Sequence, residues 1–303
     1  MSRKRDTNRK DVYQTVTDQI VEAIENGAGE WQMPWHRMGE GLNRPVNIDT
    51  GNAYRGINIV ALWAAGQVRG YGSGAWGTYR QWQNKGCQVR KGEKASTVVF
   101  YKEFEVEDTD AQPGETTFET RRVARASSVF NADQVDGYDV ELPEPKDSVQ
   151  DMTEANAFVA NTQAVVRHGG ARAYYNRGTD TIQMPDKDRF LGSETSSATE
   201  SYYGTLLHEL VHWTGIKKRC DREFGKRFGD DAYAVEELVA ELGAAFLCAD
   251  LGIAAEPRPD HAAYIEYWLK ALKTDNRAIF AAASKAAQAT DFLAELQSRS
   301  EAA

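Results

Sequence analysis

Residues 203–213 read Tyr203-Gly204-Thr205-Leu206-Leu207-His208-Glu209-Leu210-Val211-His212-Trp213, and residues 233–244 read Tyr233-Ala234-Val235-Glu236-Glu237-Leu238-Val239-Ala240-Glu241-Leu242-Gly243-Ala244. Apolar residues recurring at three and four predict helices over 200–213 and 232–251. Positions i and i+4 of a helix share a face, so His208 and His212 can reach one ion. Glu209 follows the first histidine directly, where a carboxylate can hold and deprotonate a water activated by zinc. Two unrelated histidines on a surface helix would give the same five-residue match. The apolar flanks Leu206, Leu207, Leu210, Val211 and Trp213 argue against that, because a buried histidine needs a partner.

A catalytic zinc takes a third protein ligand and keeps one position open. The second helix offers Glu237 and Glu241 on one face, beside Ala240, Gly243 and Ala244, whose small side chains allow close helix packing. Acids on an otherwise apolar face are costly unless a cation meets them. Glu237 is assigned as third ligand and Glu241 as acceptor for a ligating histidine's N–H, with the reverse assignment open. Glu236 is expected to face solvent. The pattern resembles gluzincin metallopeptidases, in which two histidines and a downstream glutamate bind zinc, and the resemblance favours Glu237. Tyr202, Tyr203 and Tyr233 are each candidates for an oxyanion donor, and nothing in the sequence selects among them. Histidine and carboxylate donors also accept manganese.

At 303 residues the chain is long enough for two domains, each with its own core. No apolar run approaches the roughly 18 residues of a membrane span, and the basic start (residues 1–10) is followed by no apolar stretch of a secretory signal. Three scattered cysteines give no disulfide framework, so a reducing cytoplasm is expected. Proline-rich, apolar-poor residues 141–152 read as a linker between a domain at 1–140 and one at 153–303. Expected elements of the first domain are helices at 12–26, 58–65 and 76–85, strands at 96–101 and 123–130, and an exposed acidic hairpin tip or loop at 103–119. The second domain is expected to add a helix at 153–162, short strands at 173–176 and 181–184, and helices at 261–274 and 277–296 beside the two already described. The fold class is therefore α+β.

The net charge of -9 is unevenly spread. Residues 1–140 hold 18 Lys/Arg against 19 Asp/Glu, and residues 141–303 hold 18 against 26. Within the first part, Arg37 to Lys102 has ten basic residues and three acidic ones, a local +7. Five of the seven tryptophans lie in residues 31–82. Aromatic platforms among cations suit single-stranded nucleic acid, whose unpaired bases stack while the backbone follows a positive groove. No duplex-reading motif is evident. Arg55, Trp76, Tyr79, Arg80, Trp82, Lys85, Arg90, Lys91 and Lys94 are the contact candidates, and Trp31, Trp35 and Trp63 read as core.

The ordered motifs Trp31-Gln32-Met33-Pro34-Trp35, Asn43-Arg44-Pro45, Tyr54-Arg55-Gly56-Ile57-Asn58, residues 76–82 (WGTYRQW), Val89-Arg90-Lys91-Gly92-Glu93-Lys94 and residues 129–134 (VFNADQ) resemble the N-terminal domain of ArdC-type antirestriction proteins, a domain similar also to one in plasmid primases. That family joins it to a C-terminal zincin-like metallopeptidase domain. The resemblance implies a bacterial cytoplasmic protein of conjugative plasmids that binds single-stranded DNA and protects incoming DNA, with host restriction proteins as further partners. It leaves open whether proteolysis directed by the DNA-binding domain is the primary activity, and whether the zinc domain turns over substrate.

Overall fold

The computed structural model describes residues 11–25, 44–107, 118–138, 148–190, 197–222, 231–253, 268–269 and 272–301. The core positions expected at Trp31 and Trp35, the arm at 1–10, residues 141–147 of the linker and most of the helix expected at 261–274 lie outside them.

Helix α1 (Val12–Glu25) buries Val16, Thr17, Ile20, Ala23 and Ile24, the stripe its three-four spacing dictates. After the short strand β1 (Val46–Asn47), α2 (Ile57–Arg69) is apolar around most of its surface and buried to match. Asn58 clamps it to the sheet: its Nδ2 donates to Val99 O (2.9 Å) and its Oδ1 accepts from Val99 N (2.7 Å). Strand β2 (Ala75–Gly77) and helix α3 (Tyr79–Asn84) replace the single helix expected over 76–85. Thr78 is the cause, since it forms a capping box with Gln81 and so starts a helix after a strand. Strand β3 (Gln88–Val89) and the long hairpin β4 (Ser96–Glu107) and β5 (Phe118–Asn131) follow, paired from Ser96↔Val129 to Glu107↔Phe118. Both strands run on into the segment expected to be a hairpin tip or loop, so the hairpin alternative is the one the pairing supports. Strand β6 (Val135–Asp136) pairs antiparallel with β3. The main sheet has the order β1-β2-β5-β4.

In the second half, α4 (Ser148–Asn161) begins inside the stretch expected to be linker. Strands β7 (Val165–His168), β8 (Tyr174–Asn176) and β9 (Thr181–Met184) form a sheet in the order β7-β9-β8, with β7 parallel to β9. Helices α5 (Ala198–Thr214), α6 (Asp231–Leu251) and α7 (Ala278–Glu301) complete it. The architecture is two-domain α+β, as expected, but the two halves do not have separate cores. One contiguous cluster of buried side chains runs from Val16 to Leu293. Tyr13 meets Phe280 at 4.7 Å between ring centroids, Trp63 meets Phe246 at 5.8 Å, and Thr17 Oγ1 donates to Asn276 O. Ion pairs Arg44–Asp250 and Arg55–Asp291 close the edges of this seam.

Candidate metal centre

Helix α5 is started by a capping box, in which Ser197 Oγ accepts from Glu200 N and the Glu200 carboxylate accepts from Ser197 N. Its buried face carries both histidines and lies along α6. Gly243 sets how closely the helices approach, because a Cβ there would stand 2.8 and 2.9 Å from the γ-methyl carbons of Val211. That approach brings the α6 glutamates to the imidazoles of α5.

His208 Nε2 and His212 Nε2 face each other at 3.1 Å, and the Glu237 carboxylate reaches both at 3.5 Å. Ligand atoms of these three side chains lie within 4.8 Å of one another. Each imidazole has a second carboxylate behind it: Glu241 Oε1 is 2.8 Å from His208 Nδ1, and Glu236 Oε1 is 3.2 Å from His212 Nδ1. A carboxylate stands beside each Nδ1, hydrogen-bonded in the case of Glu236, which leaves both Nε2 atoms for one shared ion. Glu209 is buried beside them, and its negative charge is felt at His212.

Glu236 is a correction to the sequence expectation. It is 4% exposed, and Arg222 clamps it with two donors, Nε to Oε2 (3.0 Å) and a terminal nitrogen to Oε1 (2.8 Å). Arg222 also donates to Thr214 Oγ1 and Val211 O, so it ties the end of α5 to α6. The sequence held a signal for Glu236. Gly243, which packs on Val211 of α5, lies two turns after it and so shares its face. Nothing comparable pointed to Arg222, which comes from the loop after α5.

Burial disfavours charge on His212, yet the hydrogen bonds and charges of Glu236 and Glu237 outweigh it and hold the imidazole protonated up to about 10. Burial likewise works to raise Glu237, but His208 and His212 bring it well below the ordinary carboxylate range. Four carboxylates and two imidazoles thus share a buried space, with Arg222 bonded to one of the acids. That donor set fits a divalent cation, which supplies the charge the acids lack. Of the tyrosine candidates, Tyr202 places its hydroxyl 2.7 Å from His168 Nε2, and Tyr203 donates to Asn156.

The nucleic-acid candidates divide by burial. Trp76 and Trp82 are corrections: at 2% and 0% exposed they are core, and Trp82 Nε1 donates to Phe130 O. A ring enclosed on both faces has none left for a base. Gly77 is needed there, since a Cβ would fall 2.5 Å from Ile48 Cγ2 and 3.1 Å from Trp82 Nε1. Trp63 is core as expected. Arg55 is exposed and paired with Asp291. Tyr79, Arg80, Lys85, Arg90, Lys91 and Lys94 are exposed. Part of the motif signal is structural: Asn131 caps the turn after β5 with Gln134, and Asp133 accepts from the backbone N–H of Gly72 and Ser73.

A family model for zincin-like metallopeptidases matches residues 153–285, and one for the N-terminal domain of the anti-restriction factor ArdC matches residues 10–130. A protein named y4eC from Sinorhizobium fredii is 47% identical over 95% of this chain and 93% of its own length. The Escherichia coli DNA primase TraC is 37% identical over 94% of this chain, which spans only 27% of the primase. The metal-free crystal structure of the antirestriction ArdC protein from the R388 plasmid is similar at a TM-score of 0.76 and 41% identity, covering 95% of this chain and 98% of that one. The Mn(II)-bound structure of that protein is similar at a TM-score of 0.72 and 40% identity, with the same coverage. No helix among the described residues is long and apolar enough to cross a membrane.

Proposed function

This chain belongs to the ArdC family of antirestriction proteins, and from that premise we propose that it binds single-stranded DNA through its N-terminal half and holds zinc in its C-terminal half. In this reading it acts in the bacterial cytoplasm on incoming plasmid DNA, against host restriction proteins. His208, His212 and Glu237 are the ligands, Glu241 and Glu236 orient the two imidazoles, and Glu209 is the general base. The observation that carries the zinc assignment is the shared focus of His208 Nε2, His212 Nε2 and the Glu237 carboxylate, with a separate carboxylate behind each Nδ1. Two imidazoles and one carboxylate with an open position are the donors of a catalytic zinc site, whereas manganese favours oxygen-rich sites. Zinc is therefore the ion expected to bind more tightly.

The bound ion would supply Lewis-acid polarisation and a water of lowered pKa. Glu209 would be the base for that chemistry, in a site whose burial strengthens each charge interaction. Its buried place beside His212 favours a second reading, in which peptide hydrolysis is the primary activity and DNA binding directs it. Glu209→Ala separates the two. Loss of protection with zinc and DNA affinity retained supports the hydrolytic reading. Full protection by that variant, with His208→Ala losing both zinc and stability, supports a zinc-bound scaffold. DNA binding is tested by titrating single- and double-stranded oligonucleotides of one sequence at two salt concentrations. Equal affinity for both would refute single-strand preference.

A further inference from the structure

An open cavity of about 630 Å³ lies between the first turn of α3, the β3–β6 pair and the end of β5, lined by Tyr79, Gln88, Arg90, Lys91, Phe130 and Asp136 among others. Its construction is rigid. The Thr78–Gln81 capping box fixes the turn that presents Tyr79, and Gln88 sits opposite Asp136 in the β3–β6 ladder. Beneath them Trp82, Cys87, Val89, Ala132 and Val135 form a separate small core. Tyr79 meets Phe130 at 6.4 Å with planes 70° apart and still keeps 43% of its surface open. Gln88 Nε2 donates to Tyr79 Oη (3.0 Å) and to Val89 O (2.9 Å). Both amide hydrogens are thereby used, which pins the ring and leaves Gln88 Oε1 as an acceptor.

The charges decide which part of a nucleotide belongs in this cavity. Arg90 stands 3.5 Å from Glu93 and 3.6 Å from Asp136, and it also donates to Asp133 O. Two cations and two carboxylates leave the lining close to neutral, so a phosphate gains little there. A neutral, flat group gains an open aromatic face and acceptors on Gln88 and Asp136 for the edge N–H that each base carries. Arg80, Lys85 and Lys94, which are not part of that lining, are exposed as Lys91 is.

We propose that this cavity is a base subsite, which takes one unstacked nucleobase against Tyr79 while the neighbouring phosphates meet exposed cations such as Lys91. The inference rests on the single-strand binding proposed above. Stacking is sequence-tolerant, because each base has a π-face, so the subsite gives affinity without a sequence code.

The test uses the full chain and fluorescence anisotropy with two strands of equal phosphate number, oligo-dC and an abasic strand, at two salt concentrations. The expected result is roughly ten-fold tighter binding of oligo-dC, with the same salt slope for both strands. Tyr79→Ala should lower oligo-dC affinity roughly ten-fold towards the abasic value with no change of slope, and Tyr79→Phe should retain it. Lys91→Glu should instead weaken both strands and flatten the slope. Equal wild-type affinity for the two strands overturns the proposal and leaves single-strand binding intact. So does a Tyr79→Ala protein that melts normally and binds as wild type. If Tyr79→Ala fails to fold, the comparison of the two strands on wild type decides alone. Failure of wild type to bind either strand overturns the subsite together with the reading beneath it.

Discussion

Substituting Gly243 by alanine would test whether helix spacing sets the metal centre. On an exposed helix, alanine in place of glycine gains about 1 kcal/mol. Here the new methyl would sit 2.8 and 2.9 Å from the γ-carbons of Val211, against about 3.5–4.0 Å for carbons in contact. Roughly 0.7–1 Å must therefore be found. Val211 cannot readily supply it, since a β-branched side chain in a helix has one strongly preferred rotamer. The separation of α5 and α6 must give instead. Overpacking of this kind costs about 1–3 kcal/mol, so the net is a destabilisation of about 1 kcal/mol and a fall in Tm of about 2 °C. The larger effect falls on the metal. Glu236 and Glu237 lie two turns before Gly243, and a site whose distances tolerate about 0.2 Å should lose roughly ten-fold in affinity when α6 lifts. Thermal melts with and without chelator, and competition against a chromophoric chelator, measure both. Adding Val211→Ala removes the offending methyls and should restore much of the metal affinity. Unchanged affinity and Tm in Gly243→Ala would refute the claim that this contact positions the site.

Arg222→Ala takes both guanidinium donors from buried Glu236 and leaves it only the contact with His212 Nδ1 among the described residues, and should cost about 3 kcal/mol in a melt; Arg222→Lys should not restore it, because the two-pronged contact is lost. His212, held protonated up to about 10 in the metal-free protein, must lose that proton to ligate. Metal affinity should therefore rise with pH below that value, and calorimetry in buffers of different ionisation heat should detect a proton released at pH 7. The sign for the metal-free fold is opposite: a raised imidazole pKa contributes stability that is full below about 6.5 and is lost as pH rises through about 10. A metal-free Tm that does not fall across that alkaline window would contradict the pairing. Asn58→Ala strips both backbone groups of Val99 of their partner, and urea denaturation should show a loss of about 2–4 kcal/mol.

The legible parts of this molecule were local. His208 and His212 are one helical turn apart, and β9 is bounded by the turn at Arg177–Asp180, so short-range pattern sufficed for both. Strand β7 gave no such signal, because Val165–His168 is mostly exposed and its parallel partner β9 comes after β8 in the sequence. The tryptophans misled for a different reason. A basic, aromatic stretch has the same composition whether its rings face solvent or the interior, and only the three-dimensional structure separates Tyr79 from Trp76 and Trp82. In that segment the Thr78–Gln81 pair was readable as a helix start and would have divided strand from helix. The network around Glu236 was half legible: its own position follows from sharing a helix face with Gly243, but its arginine arrives from a loop that no periodicity governs.

The seam between the halves also bears on how such chains can be inherited. Tyr13 against Phe280 and Trp63 against Phe246 are matched shapes, and Arg44 and Arg55 answer acids that lie more than 200 residues later. A crossover near residue 145 that joined the front of one relative to the back of another would separate all four pairs. Recombinants are then expected to survive only when they inherit these complementary positions together. The two modules can diversify their exposed faces independently, but their touching faces must descend as one.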